Sequence, residues 1–153
     1  MRETSVCFTG HREIPSNKYE FIKQTLIDMI KELANSGYTD FYAGGASGFD
    51  MLASFCVLEL KKEYDIRLHI ILPYRRSVST YSSYERYKQK ELLERADSVE
   101  CLFERYLSGC FHTRNRKLVD SSSVCVAFLE KNSGGTYYTV NYAKENGLKV
   151  VLV

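Results

Sequence analysis

Six short runs of β-branched and apolar residues alternate with longer stretches of helical periodicity, and a chain patterned in this way is expected to fold as a parallel α/β sheet. The runs lie at residues 5–9, 39–43, 67–72, 98–102, 124–129 and 149–153. Most are apolar almost throughout, as strands covered on both faces must be. Between the first two, Ile22, Leu26, Met29, Ile30 and Leu33 recur at helical spacing and Asn35-Ser36-Gly37 closes the segment. Residues 50–62 carry a wide apolar face (Met51, Leu52, Phe55, Cys56, Leu58, Leu60), expected of a helix packed on a sheet. Further helices are predicted over 84–96, 112–120 and 136–146. The resulting expectation is an α/β, Rossmann-like three-layer αβα sandwich with a mainly parallel sheet of about six strands.

With 153 residues, 44% of them hydrophobic and only two prolines, the chain has the size and composition of one globular unit, read as a single domain over 1–153. A net charge of +2 is too small for field-driven binding of nucleic acid or of an anionic membrane, which argues against a nucleic-acid partner. Five cysteines (Cys7, Cys56, Cys101, Cys110, Cys125) show no C-x-x-C spacing, so reduced thiols and a cytoplasmic location are expected, with no metal site. No leader and no membrane-spanning run is read from the sequence. Tyrosine is abundant, with twelve copies against no tryptophan.

Ligands of open α/β sheets bind beyond the carboxyl ends of the strands, so the strand-to-helix turns hold the candidate site. The first turn is Thr9-Gly10-His11-Arg12, where an imidazole and a guanidinium would meet an anion. The second, Gly44-Gly45-Ala46-Ser47-Gly48-Phe49-Asp50, is neither G-x-G-x-x-G nor a P-loop, which disfavours an ordinary NAD or ATP site. Asp50 there accepts from a ribose hydroxyl or stabilises the helix start by charge. The third turn brings Tyr74 with Arg75 and Arg76. The last, Ser133-Gly134-Gly135-Thr136, opens a helix whose free N–H groups suit a phosphate, the alternative being a plain turn and cap. Arg114, Arg116 and Lys117 sit early in another helix, where positive charge opposes the dipole and suggests an anionic partner. If the strands are parallel, all these turns share one edge of the sheet.

At these residues the sequence resembles the DUF1273 or YpsA-like family of the SLOG superfamily, relatives of the DNA-processing protein DprA and of the LOG cytokinin-activating enzymes. The matching pieces are C-F-T-G-H-R (7–12), G-Y-T-D-F-Y-A-G-G-A-S-G-F-D (37–50), L-P-Y (72–74), R-N-R-K-L-V-D (114–120) and G-G-T-Y-Y-T-V-N-Y-A (134–143). The resemblance implies a Rossmann-like fold and a pocket for nucleotides or nucleotide-derived small molecules. It carries that pocket onto Thr9, Gly10, His11, Arg12, Gly44, Ser47, Gly48, Asp50, Arg114, Asn115, Gly134, Gly135 and Thr136, to which the turn reading adds Tyr74 as a stacking ring. Thr139 stands where the LOG motif P-G-G-x-G-T-x-x-E has its glutamate, although His112-Thr113-Arg114 looks like the LOG M-H-x-R segment.

The leading expectation is therefore a module that binds or senses a nucleotide or nucleotide-derived small molecule, with no catalytic residue, cofactor or metal assigned. The alternatives are a hydrolase of an N-glycosidic or phosphate bond, with Asp50 or His11 as the acid–base group, and a DprA-like single-stranded nucleic-acid or protein-interaction module. The latter would use a patch of Arg75, Arg76, Arg114, Arg116 and Lys117. A homo-oligomer is expected because domains of this size often pair. Tyr137 is read as a second stacking or phosphate-contacting ring, and Tyr81, Tyr84 and Tyr87 as a flap or partner surface.

Overall fold

The computed structural model describes residues 1–75 and 81–153. In chain order the elements are β1 (Ser5–Gly10), α1 (Tyr19–Asn35), β2 (Asp40–Ala43), α2 (Phe49–Leu60), β3 (Arg67–Tyr74), α3 (Ser83–Arg95), β4 (Ser98–Phe103), α4 (Cys110–Asp120), β5 (Val124–Phe128), α5 (Gly135–Glu145) and β6 (Lys149–Leu152), with single 3-10 turns at Arg2–Thr4 and Ser16–Lys18. Every strand pairing is parallel, and the six strands form one sheet in the order β4-β3-β2-β1-β5-β6. The expected α/β, Rossmann-like sandwich is therefore the observed fold. β3 runs further than its apolar run, through Pro73 to Tyr74, because Tyr74 stays in register with Phe103 of β4.

The topology follows from the direction of the crossovers. The chain winds outward from β1 to β4 and then returns to the other side of β1, and right-handed crossovers place helices before and after such a reversal on opposite faces. α1, α2 and α3 accordingly bury Ile22, Leu26, Ile30, Val57 and Leu92 against Phe8, Phe41, Leu68 and Ile70. On the other face, Leu118 and Val119 of α4 and Val140 and Ala143 of α5 cover Cys7, Cys125 and Ala127. α2 is wedged between α1 and α3, so it is apolar nearly all round rather than striped.

A polar network ties the strand starts together at the end of the sheet opposite the turns. Asp40 accepts from both Arg67 and His69, at 2.9 and 2.7 Å, and His69 reaches Ser98 Oγ at 2.6 Å. Burial alone would raise the Asp40 carboxyl, but hydrogen bonds from Arg67, His69 and Thr39 hold it well below the usual carboxylate range. Among the described residues, no helix is long and apolar enough to cross a membrane.

Candidate functional site

β1 and β5 are paired to their last residues, yet the helices that follow them lie on opposite faces, so the connections leaving their carboxyl ends diverge and leave a crevice. It has a volume of about 340 Å³, at the lower end of the range for small-molecule sites. One wall is the turn after β1, with Thr9, Gly10, His11 and Arg12. The opposite wall is the loop after β5, with Lys131, Ser133, Gly134, Gly135 and Thr136. Between them stand Ala46, Asp50, Phe111, Arg114 and Asn115. Three cations thus face one carboxylate.

The carboxylate and the deepest cation form the base of the crevice. Arg114 is buried: Nη1 donates to the Gly44 carbonyl and, at 3.5 Å, to the Ile71 carbonyl, while Nε donates to Asn115 Oδ1 at 2.8 Å. Asp50 Oδ2 accepts from the Gly44 N–H at 3.2 Å. A Cβ on Gly44 would fall 2.6 Å from Arg114 Nη1 and 2.9 Å from Asp50 Oδ2, so the two charges come close only because residue 44 has no side chain. Burial pushes the Asp50 carboxyl up to about 6, against the opposing pull of Arg114 and of the Gly44 and Ala46 N–H groups. Asp50 stands in the first turn of α2, as the helix-start reading has it, and accepts from the Gly44 loop as well.

That raised value carries a stability prediction. In the unfolded chain Asp50 titrates near 3.8, so between about pH 4 and pH 6 the folded protein keeps a proton that the unfolded chain has lost. Stability from this group is full below that window, falls as pH rises through it, and stays lost at neutral pH. Asp50→Asn is expected to stabilise the unliganded protein by about 1–3 kcal/mol at pH 7.5. The gain should shrink towards zero below pH 5; urea titrations at the two pH values check it, and a gain independent of pH would refute the assignment.

His11 takes a different part from the one its residue type suggests. Nε2 accepts a hydrogen bond from the Glu130 N–H at 2.8 Å, which requires a neutral ring, and burial followed by Lys131 lowers its pKa from 6.5. The imidazole therefore pins the β1 turn to the β5 loop as a neutral group, leaving Nδ1–H as its remaining donor. Gly10 likewise serves packing, since a Cβ there would lie 2.4 Å from the Phe49 ring.

The second turn is anchored from outside the crevice. The Tyr81 hydroxyl accepts from the Ser47 N–H at 3.1 Å and donates to the Gly45 carbonyl at 3.2 Å, and Gln89 Nε2 donates to the same carbonyl at 2.9 Å. Tyr81 is thus a buried brace and not part of a flap. Tyr84 and Tyr87 are exposed, because Ser82 caps α3 through a capping box with Glu85 and places Tyr81 before the helix starts.

The structure brings Thr9, Gly10, His11, Arg12, Asp50, Arg114, Asn115, Gly134, Gly135 and Thr136 into one crevice. Gly44 lines a narrow recess beside it, together with Arg12, Tyr81, Phe111 and Arg114. Ser47 and Gly48 turn away into a groove between α1, α2 and α3. Tyr74 does not line the crevice; it packs edge-on behind Phe111, their ring centres 6.0 Å apart. Tyr137 is also outside it, half-exposed on α5. Thr139 is buried and donates to the Gly135 carbonyl at 2.8 Å.

The expected basic patch is dispersed. Helical rotation sends Arg114 inward, Arg116 to the Tyr138 hydroxyl and Lys117 to Glu100, while Arg75 pairs with Glu104. Arg76 lies outside the described residues. Phe111 and Lys131 were not anticipated, whereas Ala46 and Ser133 lie in the turns already singled out. Phe111 carried a signal, since it precedes Arg114 by three and Asn115 by four and so shares their helix face.

The parallel, doubly wound sheet with its crevice at the point of reversal defines a Rossmann-like α/β domain. The family model described as the YspA SLOG family matches residues 6–150, and the chain belongs to this YpsA family. It is 30% identical to the SPbeta prophage-derived protein YoqJ of Bacillus subtilis, over 83% of this chain and 82% of that protein. It is 24% identical to UPF0398 protein OB1025 of Oceanobacillus iheyensis, over 84% and 74% of the two chains. Among solved structures it is similar to DNA processing protein A of Helicobacter pylori, a single-stranded DNA binder, with a TM-score of 0.72 at 19% identity. That match covers 99% of this chain and 65% of the other.

Proposed function

We propose that the crevice binds a nucleotide or nucleotide-derived small molecule and that the protein acts as a binding or sensing module. The observation that carries this reading is the α5 start. Gly134 and Gly135 would have open space around any Cβ, so a ligand can approach their backbone, and the free N–H groups of the helix share their wall with Lys131 and stand across the crevice from Arg12. Asp50 and Asn115 supply acceptors for sugar hydroxyls.

Thermal melting against a panel of nucleotides, cyclic nucleotides and NAD-derived compounds tests it. A ligand at about 100 times its dissociation constant stabilises the fold by roughly 2.7 kcal/mol, which at roughly 2–4 °C per kcal/mol raises Tm by several degrees. Gly135→Ala puts a methyl group into the ligand's space with no protein atom within 4 Å of it, so it should melt close to the parent and lose most of the shift. No shift with any member of the panel sinks the reading.

The likeness to a single-stranded DNA binder favours a second reading, in which the same cations meet a nucleic-acid backbone. Oligonucleotide binding that weakens steeply with salt supports it, and binding that is absent or insensitive to salt removes it.

A further inference from the structure

We infer that Arg12 is the ring-stacking residue of the crevice: its guanidinium, layered on Phe111, presents a flat face to a nucleobase, so that the ligand is a nucleoside phosphate and not a bare sugar phosphate. The inference rests on the nucleotide reading above and adds to it where the base lies and what reads it. Arg12 is exposed and has no hydrogen-bonding or ion-pair partner for its guanidinium among the described residues, yet the group is not loose. Its Cζ sits 5.3 Å from the centre of the Phe111 ring. Arg114 approaches the same ring at 5.9 Å, so the π-electrons of Phe111 lie between two guanidinium groups that repel each other.

Both partners of the stack are fixed from behind. Phe111 is held by the edges of Tyr74 and Tyr106, whose own rings pack at 5.7 Å. The Arg12 backbone is held by Gly48, which fits against its carbonyl, and by the hydrogen bond from the Phe49 N–H to the His11 carbonyl at 3.1 Å. A guanidinium held over a ring, with no hydrogen-bonded or ion-paired carboxylate among the described residues, has a planar face and outward edges to offer. The α5 start, with Lys131 and Ser133, already provides for phosphate on the opposite wall. This leaves Arg12 for the planar part of the ligand, since guanidinium stacks on π-systems where an ammonium does not.

Calorimetric titration of the whole chain with adenosine 5′-monophosphate and with ribose 5-phosphate separates the two claims. The parent protein should bind the nucleotide roughly tenfold to a hundredfold more tightly than the sugar phosphate, the range expected of one stacked base. Phe111→Leu keeps an apolar side chain and removes the ring; Arg12→Lys keeps the charge at an exposed position and removes the plane. Both should bring the ratio of the two affinities down to about threefold or less, so a fold defect in the first variant leaves the second decisive. Equal affinities in the parent, or an equal loss for both ligands in Arg12→Lys, overturns the stacking role while the nucleotide reading stands. Absence of binding by both compounds and by the wider panel fails that reading, and the inference falls with it.

Discussion

Gly48→Ala is expected to destabilise the protein by about 4 kcal/mol or more, which removes most of the margin of a domain at the low end of ordinary stability. Two independent penalties combine there. The residue has φ +77°, a backbone conformation that strains any side chain, and a Cβ would lie 2.2 Å from the Arg12 carbonyl oxygen and 2.4 Å from its carbon. Neither atom can move without dragging the β1 turn, because the Phe49 N–H is bonded to the His11 carbonyl beside it. Gly37→Ala isolates the first penalty, having φ +99° with nothing within 4 Å, and should cost only about 1 kcal/mol. Urea unfolding of the two variants checks the difference; equal costs would show that the close approach to Arg12 carries no weight.

Arg114→Met should cost about 3–5 kcal/mol and remove anion binding together with it. The change leaves the Asp50 carboxylate buried without its cation and takes the side-chain donor from the Gly44 carbonyl. Asp50 should respond by titrating higher still, since the pull of Arg114 is the largest effect now opposing its burial. Asp50→Asn is therefore expected to stabilise the Arg114→Met variant by more than it stabilises the parent at pH 7.5. A double-mutant cycle measures this coupling, and strictly additive costs would mean that the two charges do not interact.

Much of this arrangement was readable in the sequence because the sheet is buried on both faces. Near-continuous apolar runs such as Val124–Phe128 have no other comfortable setting, and once the strands are parallel their turns must share an edge. The glycines at 134 and 135 and the cations at 12 and 114 were visible for the same reason. Where each ring points was not. Tyr81, Tyr84 and Tyr87 read together as a flap or partner surface, but the cap at Ser82 starts the helix after Tyr81, whose hydroxyl bonds Gly45 and Ser47. That Ser82-x-x-Glu85 box was itself legible. Tyr74 and Phe111 exchanged roles because residue type alone cannot tell which of two packed rings faces a cavity.

The pairing of β1 with β5 has a kinetic corollary. Val6 lies beside Val124, so the two walls of the crevice come from segments far apart in the chain, and their contact closes a loop around most of the intervening elements. Such a contact is costly in loop-closure entropy and forms late. A ligand that bridges the His11 turn and the Gly134–Gly135 loop would recognise only chains that have finished folding. Added during refolding, it should slow unfolding more than it hastens folding.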